Sequence, residues 1–591
     1  MLNQIRNFCI ISHVNHGKST LADRFLEMTG TIAMDKMRPQ YLNAMDLERE
    51  KGITIKMTPV RMKFKDYTLN LIDTPGHVDF GYEVSRSLVA VEGAVLLVDA
   101  TKGIQAQTIG NLDLAKHQNL VIIPAINKID APGANIEETE KEMMSLLGVE
   151  ASEIIRISAK DGVNINQVME AVLAKVPAPQ GEALKPLKAL VFDSKYDSFK
   201  GVLAYVRVFD GEVKKGDKIY LMQSQAVGEV KEVGIFNPEF FPVEKLGPGD
   251  IGYIATGIKV PGQVRVGETV TLMGEHPEAL HGYQEPSPMV FLSVYPENPD
   301  DLELLKDSLE RLKLNDAALS FKPDFKEGLG RGFQCGFLGL LHAEIIAERL
   351  KREFGLNLIL STPSVIYKVT LTSGKEIFVY TSADWPDPAH IAQSQELWIK
   401  LQVLTPVDYL GSVLQLLESI ESKQLKTDSL SQNKVELLYE VPLREIITKS
   451  FYDKLKGSSQ GFASMNYEII GWRPAQLVKL DILILGKSDE AFSRIVPEKD
   501  AFTEGRRTVE KLKEVLPSQL FAVPLQAAVG GRILARATIS ARRRDVIAPL
   551  YGGDYTRKKK LLEKQKKGKK ELKEKGRIKI PSKTFLEVFK I

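Results

Sequence analysis

The residues best suited to chemistry lie in one loop near the start of the chain. The apolar run Phe8–Ile11 leads into this loop, and a stretch with helical apolar spacing follows it. The loop contains Val14, Asn15, His16, Gly17, Lys18, Ser19 and Thr20. A strand, a tight Gly-Lys-Ser loop and a helix cradle phosphates, because backbone N–H groups and the positive helix end face the anion. Lys18 would then reach the β and γ phosphate oxygens, and the Ser19 hydroxyl would take a magnesium ion.

Three further polar motifs each follow a strand-like apolar run. They are Asp73-Thr74-Pro75-Gly76, Asn127-Lys128-Ile129-Asp130 and Ser158-Ala159-Lys160. In an open α/β sheet, ligands bind outside the carboxyl ends of the strands, so these motifs would meet at one edge. Each motif alone could be a polar turn. All four in this order predict a single nucleotide site that they line together.

Asp130 indicates which nucleotide this site accepts. Its carboxylate can accept from both the N1–H and the exocyclic amine of guanine, an arrangement that adenine cannot match. GTP is therefore the expected substrate, and an ATP-dependent enzyme is disfavoured. Asp73 is suited to hold the magnesium shell through water, and the Gly76 N–H is placed to sense the γ-phosphate.

A fifth motif brings a family resemblance. The stretch Arg49-Glu50-Lys51-Gly52-Ile53-Thr54, followed by Asp73-Thr-Pro-Gly-His-Val-Asp-Phe80, resembles the translational GTPases. The resemblance implies that Thr54 completes the magnesium shell when GTP is bound, and that its loop is released after hydrolysis. It also implies that His77 orients the attacking water beside an apolar gate formed by Val14 and Ile53. His77, Lys18 and Thr54 are thus the expected catalytic residues, since phosphoryl transfer depends on positioning and electrostatics.

Composition limits the class of protein. The 591 residues predict roughly four domains, and 43% hydrophobic and 26% charged residues are typical of a soluble globular protein. Cys9 and Cys335 are far apart, so neither a disulfide framework nor a zinc site is indicated. His13 and His16 lack further metal ligands nearby. Without a signal peptide or a long apolar run, we expect a cytoplasmic protein.

The elements that must position these motifs define a multidomain fold of α/β, β-barrel and α+β parts. The predicted domains are a P-loop GTPase domain (1–182), an antiparallel β-barrel (183–285), a ferredoxin-like unit (286–367), a second ferredoxin-like unit (368–486) and a basic C-terminal domain (487–591). The glycines at positions 328, 330, 332, 336 and 339 indicate turns and tight packing. A helix is expected over Phe337–Phe354. Leu477–Leu485 is expected to close the second ferredoxin-like unit. Thr31–Lys51 lacks periodicity and should be mobile before nucleotide binds.

The domain order narrows the resemblance to the LepA family of translational GTPases. The stretches that carry it are Met45–Glu50, Gly332–Gly339, Ala475–Ile484 and Tyr551–Asp554. About 35 residues separate the two ferredoxin-like units, too few for the further domain that elongation factor G carries there. The resemblance implies a monomeric, ribosome-bound GTPase that remodels the tRNA-occupied ribosome, either by back-translocation of tRNAs or in a fidelity or initiation role. It also implies cytoplasmic residence with peripheral membrane association.

Two loop residues depart from the family pattern. Asn15 stands where aspartate is usual, and Ser12 where alanine or glycine is usual. Asparagine keeps a carbonyl acceptor but loses a negative charge, which puts in doubt any bound monovalent cation. The altered loop leaves an alternative open, a GTP-gated RNA-binding module whose hydrolysis is incidental. Only a ribosome-activated enzyme predicts a large gain in multiple-turnover hydrolysis when ribosomes are added.

Charge is unevenly distributed along the chain. The net charge is +3, but Arg542–Lys579 contains 16 Lys/Arg and five Asp/Glu and so carries +11. The candidate RNA-binding residues in it are Arg542, Arg543, Arg544, Arg557, Lys558, Lys559 and Lys560, with Tyr551 and Tyr555 beside them. Such a block is either a solvated tail or a segment ordered on nucleic acid, and the neighbouring aromatics favour RNA.

The RNA hypothesis for this segment predicts a change in salt dependence. Lys→Gln substitution at Lys558, Lys559, Lys560, Lys566 and Lys567 should lower ribosome affinity at low salt and flatten its fall as salt rises. Each lost phosphate contact reduces the slope of log affinity against log salt by about 0.7–0.9. Ribosome binding across a salt series measures this slope. An unchanged slope, in a protein that melts normally, would make the segment a solvated end.

Overall fold

The computed structural model describes residues 2–43, 45–197, 199–280, 288–316, 318–326, 329–431, 433–519 and 521–542, together with 559, 560 and 563. Of the candidate RNA-binding residues, Arg543, Arg544, Arg557 and Lys558 lie outside these ranges, as do Tyr551 and Tyr555. Arg542, Lys559 and Lys560 are exposed. No helix within the described ranges has the length and apolar character needed to cross a membrane.

The N-terminal domain is a mainly parallel sheet with helices on both faces. Its strands, β1 to β6, are Ile5–Ser12, Thr58–Phe64, Tyr67–Asp73, Gly93–Asp99, Val121–Asn127 and Ile155–Arg156, in the order β2-β3-β1-β4-β5-β6. Its helices, α1 to α6, are Lys18–Met28, Asp46–Lys51, Gly81–Val89, Ala106–His117, Ile136–Leu147 and Ile165–Lys175. The edge strand β2 runs antiparallel to β3. Cys9 is fully buried in β1, because its strand is covered on both faces.

The second domain is the predicted antiparallel β-barrel. Its strands, β7 to β16, are Lys188–Asp197, Gly201–Asp210, Val213–Lys214, Lys218–Leu221, Val227–Glu229, Glu232–Asn237, Glu239–Val243, Lys245–Leu246, Ile251–Ala255 and Thr269–Leu272. Eight of them form one sheet, and β9 pairs with β14. The alternate valines of β8, including Val202, Val206 and Val208, are fully buried in its core. The other face of β8, which carries Leu203, Tyr205 and Arg207, is buried as well, so this strand has no face toward solvent.

The third domain has the ferredoxin-like order that the sequence predicts, with one strand misassigned. Its elements are β17 (Val290–Pro296), α7 (Leu302–Asn315), β18 (Ser320–Lys326), β19 (Gly330–Phe337), α8 (Leu340–Phe354), β20 (Leu358–Leu360) and β21 (Ser364–Val365). The sheet order is β18-β19-β17-β20. The expected helix start at Phe337 is wrong, because Gly330–Phe337 is a strand. A Cβ at Gly332 would lie 2.4 Å from the Val294 carbonyl oxygen, so glycine permits the close pairing.

The fourth domain is a second sheet covered by short helices. Its elements are β22 (Tyr367–Leu371), β23 (Glu376–Val379), β24 (Ile391–Pro406), α9 (Leu410–Glu418), β25 (Lys423–Ser431), β26 (Lys434–Pro442), α10 (Leu443–Thr448), α11 (Phe451–Ser458) and β27 (Ser464–Pro474). The strands pair as β23-β22-β24-β26-β25, with β27 beside β24. α10 and α11 are separated at Ser450, whose φ of 48° is left-handed.

The described part of the C-terminal domain is a small sheet with one helix. Its elements are β28 (Leu477–Ile484), β29 (Lys487–Ser488), β30 (Arg494–Pro497), α12 (Ala501–Val515), β31 (Val523–Val529) and β32 (Arg532–Ile539). The expectation that β28 closes the second ferredoxin-like unit is wrong, because β28 pairs with β30 and β31. Apolar alternation identifies such a strand but not its partner. The core of this sheet also takes in Tyr295 and Ile359 of the first ferredoxin-like unit.

The second ferredoxin-like unit docks on the GTPase domain through buried polar contacts. The Lys434 ammonium, 8% exposed, donates to the carbonyl oxygens of Lys102 and Ile104, each at 2.9 Å, and pairs with Glu142 at 3.1 Å. The Ser464 hydroxyl accepts from the Ala106 N–H at 2.9 Å. These contacts hold the N-terminal end of α4 against β26 and β27, and so place α11 next to the nucleotide loops.

Candidate functional site

The loop after β1 turns sharply before α1 begins at Lys18. Asn15 and Gly17 both have positive φ, 64° and 98°. A Cβ at Gly17 would lie 2.3 Å from the Asn127 side-chain nitrogen, so only glycine fits this turn without displacing Asn127. The N-terminal N–H groups of α1 are thereby left facing one cavity. Its lining residues are Val14, Asn15, Gly17, Lys18, Ser19, Thr20, Gln40, Gly52, Ile53, Thr54, Gly76 and Lys128.

Lys18 crosses this cavity toward the end of β3. The Lys18 ammonium lies 3.0 Å from where a Cβ of Gly76 would stand, so glycine leaves room for it. Burial lowers the pKa of Lys18, and the Asp73 carboxylate opposes that shift. A buried ammonium between the helix end and Gly76 is a strong binding group for phosphate oxygens.

Three oxygen-bearing side chains converge beside Lys18. The Thr54 hydroxyl lies 3.2 Å from the Ser19 hydroxyl and 3.3 Å from Asp73 Oδ2. Asp73 is fully buried, and its Oδ1 has no hydrogen-bond partner among the described groups. Burial raises the pKa of Asp73 to about 6, against the Lys18 charge that lowers it. A hard divalent cation fits this set, because it would satisfy the orphaned carboxylate oxygen together with two hydroxyls.

Asn127 organises the end of the site that is formed by the second and third polar motifs, Asn127–Asp130 and Ser158–Lys160. The Asn127 amide nitrogen donates to the His16 carbonyl oxygen at 2.9 Å, and its Oδ1 accepts from the Ala159 N–H at 2.9 Å. Lys128, with a left-handed φ of 64°, donates to the Asn15 carbonyl oxygen at 2.8 Å and pairs with Asp99 at 2.6 Å. The Asn127–Asp130 motif is therefore tied directly to the phosphate loop, and the Ser158–Lys160 motif is tied to it through Asn127.

Asp130 extends from this end into solvent. Its carboxylate accepts from the Ser158 hydroxyl at 2.6 Å, and this hydrogen bond lowers the pKa of Asp130. It is therefore ionised at neutral pH and keeps acceptor capacity for a ligand. Ile129 packs against the domain core, and Lys160 is exposed at the loop tip.

The two loop histidines have interior positions. His16 is fully buried, and burial lowers its pKa well below the ordinary value. Its Nδ1 accepts from the Asp99 N–H at 3.3 Å, so the side chain anchors the loop and only its backbone can reach a phosphate. Burial also lowers the pKa of His13. Within the described residues no group of three or more His, Cys, Asp or Glu could hold a metal ion.

His77 lies beside the cavity rather than in its lining. Its ring contacts Tyr452 of α11 edge-on, with centroids 5.7 Å apart, and its Nδ1 accepts from the Asp79 N–H at 3.2 Å. Burial lowers the pKa of His77, so the ring is neutral at pH 7. With Nδ1 used as an acceptor, the neutral ring carries its proton on Nε2 and is a donor there.

Two acidic residues that are not among the predicted site residues, Asp23 and Glu48, hold the segment that leads to Thr54. Glu48 accepts from the Ile55 N–H at 2.8 Å and from the Met45 N–H at 3.0 Å, which fixes both ends of α2. Asp23 of α1 accepts from the Gln40 N–H at 2.6 Å and the Tyr41 N–H at 2.9 Å. The segment expected to be mobile thus carries specific anchors. Glu48 supplies the acidic half of a capping box, but the N-cap residue Met45 has no side-chain oxygen to supply the other half, so the sequence signal is incomplete.

Family comparisons cover successive parts of the chain. Residues 3–178 match the Elongation factor Tu GTP binding domain, 201–271 Elongation factor Tu domain 2, 285–362 Elongation Factor G domain III, 393–483 the Elongation factor G C-terminus and 484–590 the GTP-binding protein LepA C-terminus. Elongation factor 4 of Clostridium botulinum strain Langeland is 50% identical over 592 residues, covering 99% of this chain and 98% of that protein. The chain belongs to the elongation factor 4 family.

A second elongation factor 4 protein agrees with this assignment, and a solved structure has a similar fold. The Alkaliphilus oremlandii protein is 49% identical over 594 residues, covering 100% of this chain and 98% of its own length. A crystal structure of a Thermus thermophilus protein matches 80% of this chain and 97% of its own with a TM-score of 0.56. At 17% identity that match supports the fold alone. The predicted multidomain fold class is confirmed.

Membership of the elongation factor 4 family establishes the general activity. The chain is a GTP hydrolase of the translation machinery, uses GTP and Mg²⁺, and has the ribosome as its partner. The convergence of Ser19, Thr54 and Asp73 is compatible with this requirement for magnesium.

Guanine recognition by Asp130 can be tested by a neutral substitution. Asp130→Asn should weaken GTP binding roughly 100-fold, since two hydrogen bonds to an ionised group are worth about 3 kcal/mol together. Competition binding of GTP and ATP to the purified protein measures the change. Asp161→Asn removes the same charge from the neighbouring loop and should leave the preference intact. An unchanged GTP preference in Asp130→Asn would remove Asp130 from base recognition.

Proposed function

We propose that this chain hydrolyses GTP on the tRNA-occupied ribosome and uses the nucleotide state to move tRNAs backward, that is, to promote back-translocation. The observation that carries the hydrolytic part is the position of Thr54, whose hydroxyl lies 3.2 Å from Ser19 and 3.3 Å from Asp73. Because Thr54 contacts both the loop at Ser19 and the loop at Asp73, its position can depend on whether a γ-phosphate is bound between them. The family assignment supports the ribosomal setting.

Each motif has a proposed role toward GTP. Backbone N–H groups of the loop from Asn15 to Thr20 would bind the phosphates, with Lys18 on the β and γ oxygens and the Gly76 N–H on the γ-phosphate. Asp130 would read the guanine edge, while Asn127, Lys128 and the loop from Ser158 to Lys160 position it. Ser19, Thr54 and Asp73 would hold Mg²⁺, which supplies charge neutralisation between the phosphates. Val14 and Ile53 would form the apolar gate beside the reacting end.

His77 is the proposed water-positioning residue. Its Nε2–H can donate to a water oxygen and fix its direction, which is the contribution that phosphoryl transfer needs from the protein. In the conformation described, the ring faces Tyr452 of the second ferredoxin-like unit. We propose that ribosome binding shifts α11, frees His77 to turn toward the γ-phosphate, and so makes hydrolysis ribosome-dependent. The domain contact through Lys434 is what keeps α11 in place off the ribosome.

This proposal makes opposite predictions for two neighbouring side chains. His77→Ala should leave GTP affinity within about twofold but slow ribosome-stimulated hydrolysis by roughly 100-fold or more, because water orientation acts in the transition state. Tyr452→Ala should raise hydrolysis without ribosomes several-fold, because the ring no longer retains His77. Multiple-turnover assays with and without ribosomes measure both. Lys423→Ala, at an exposed position on the same domain, serves as the matched surface control.

Two results would contradict this account. If His77→Ala lowered GTP affinity as much as the hydrolysis rate, His77 would have a structural role. If Tyr452→Ala left the ribosome-free rate unchanged in a protein that melts normally, the contact with Tyr452 would not control His77. A GTP-gated RNA-binding module, the alternative reading, predicts little stimulation by ribosomes in any of these proteins.

The tRNA movement and the remaining assignments are further parts of the proposal. Back-translocation predicts that the chain with GTP moves post-translocation ribosomes back by one codon on the mRNA. A ribosome position that stays fixed in a toeprint assay would contradict it.

A monovalent cation near Asn15 predicts that Asn15→Asp increases any potassium dependence of hydrolysis. Identical rates of the two proteins in each type of salt would exclude the cation. We also propose a cytoplasmic monomer with peripheral membrane association. Vesicle co-sedimentation in which the protein never pellets would refute the membrane association, and a dimer in sedimentation velocity would refute the monomer.

A further inference from the structure

A polar cavity lies far from the nucleotide site, where three domains meet. One wall is the sheet of the first ferredoxin-like unit, including Ser293 of β17 and Gln334 of β19. The opposite wall is β30 and α12 of the C-terminal domain, and α10 of the second ferredoxin-like unit lines a third side. The cavity volume is about 130 Å³. Drug-sized ligands occupy pockets of about 300–1,000 Å³, so this cavity has the size for a small ion or a single group.

The lining of this junction cavity is rich in hydrogen-bond donors. Six basic side chains and two acidic ones line it. The basic residues are Lys326, Arg444, Lys449, Arg494, Arg507 and Lys511, and the acidic ones are Asp500 and Glu504. Nine serine and threonine residues add hydroxyl groups. Positive charge and hydroxyl donors in excess over carboxylates are the composition of an anion site.

Lys326 is one of two buried cations in this lining, the other being Arg444. It is 7% exposed at the end of β18, and within the described part of the chain its ammonium forms neither an ion pair nor a side-chain hydrogen bond. Burial lowers its pKa, while the more distant carboxylates of Asp324, Glu490 and Asp489 oppose the shift. A buried ammonium without a partner is costly, and proteins seldom keep one unless something else pairs with it.

A second buried donor in the cavity also lacks a partner. Gln334 is 4% exposed, and its Nε2 has no hydrogen-bond partner among the described groups. Buried amide nitrogens are satisfied in the great majority of proteins, so an orphan of this kind points to an unseen acceptor. Gln334 of β19 pairs with Lys322, four residues before Lys326 on β18, and the side chains of Lys326 and Gln334 line the same cavity.

The remaining cations differ in how fully carboxylates neutralise them. Arg444 is committed to three carboxylates: Glu396 at 2.7 Å, Glu421 at 2.5 Å and Glu445. Arg494 pairs with the Glu504 carboxylate at 3.3 Å. The charge of Arg507 lowers the pKa of both Arg494 and Lys511, after the larger effect of burial. On the α12 side of the cavity, the charge of Arg507 therefore acts on both Arg494 and Lys511.

We propose that this junction cavity binds a phosphate group, held by Lys326 and Gln334 on one wall and by Arg494 and Arg507 on the other. Phosphate suits it because its oxygens accept hydrogen bonds, and the Lys326 ammonium and the Gln334 amide nitrogen can only donate them. A bound phosphate would join the first ferredoxin-like unit to the C-terminal domain and so fix their relative position. The phosphate could come from a free phosphate ion or from an RNA backbone, and the same donors would recognise either.

The test uses the full chain with its nucleotide site saturated by GDP and Mg²⁺, so that phosphate binding at the Lys18 loop does not contribute to the signal. Inorganic phosphate is titrated by isothermal calorimetry. One phosphate per chain is expected to bind saturably. Lys326→Met should weaken that binding at least tenfold, because a charge-assisted contact is lost. Lys351→Met, which removes an exposed lysine from α8 of the same unit, should leave affinity within twofold.

Stability provides an independent measurement on the same proteins. In phosphate-free buffer Lys326→Met should melt at the same temperature as the parent or higher, because it removes an unpaired buried charge. Phosphate should raise the melting temperature of the parent and of Lys351→Met but not that of Lys326→Met. Should Lys326→Met fail to fold, Gln334→Leu keeps the charge and should still weaken phosphate binding severalfold.

The two sources of phosphate give different outcomes. If inorganic phosphate fails to bind but a short RNA oligonucleotide binds in a manner that Lys326→Met abolishes, the site is confirmed as one for RNA phosphate. If phosphate binds and RNA does not compete, the ligand is a free anion. If neither ligand distinguishes the parent from Lys326→Met or Gln334→Leu, the proposal is wrong.

Discussion

The nucleotide site depends on one buried amide, the side chain of Asn127. Its nitrogen donates to the carbonyl oxygen of His16, and its oxygen accepts from the N–H of Ala159, each at 2.9 Å. The residue is 2% exposed, so both hydrogen bonds operate in a low-dielectric interior where an unpaired group is costly. The loop that contains His16 and the loop that contains Ala159 are therefore positioned by the same residue. Gly17 is restricted to glycine because Asn127 occupies the space of its missing side chain.

The remaining parts of the site are attached to this frame by charge and burial. Lys128 links the phosphate loop to Asp99, while the Lys18 ammonium lies beside Gly76 and its charge is favoured by the Asp73 carboxylate. Glu48 holds the backbone that follows Thr54, and the Thr54 hydroxyl is itself held by Asn43 and Asp73. The second ferredoxin-like unit reaches the same region through Lys434, which puts Tyr452 against His77. A change in the position of this domain would therefore reach His77 before it reaches the phosphate loop.

The sequence was sufficient for the features that depend on local order. The motifs after β1, β3 and β5 could be located because each follows a buried strand, and parallel strands bring their carboxyl ends together. The helix Ile136–Leu147 follows from its spacing alone. Strand β19 was missed because its glycines interrupt the apolar alternation. Strand β28 was recognised but given the wrong partner, since pairing between distant strands leaves no local pattern. The inward position of His16, the contact between His77 and Tyr452, and the unpaired Lys326 all depend on packing between distant segments.

The most direct test of the central claim is amide hydrogen exchange of the nucleotide-free protein carrying Asn127→Ala. If Asn127 connects the two loops, exchange should accelerate both in residues 15–19 and in residues 158–161, while the amides of β4 keep their protection. GDP affinity should fall at least tenfold in the same protein, because two unmade buried hydrogen bonds cost about 3 kcal/mol. Faster exchange confined to the neighbourhood of residue 127, with GDP affinity unchanged, would show that the loops are positioned independently and would contradict this account.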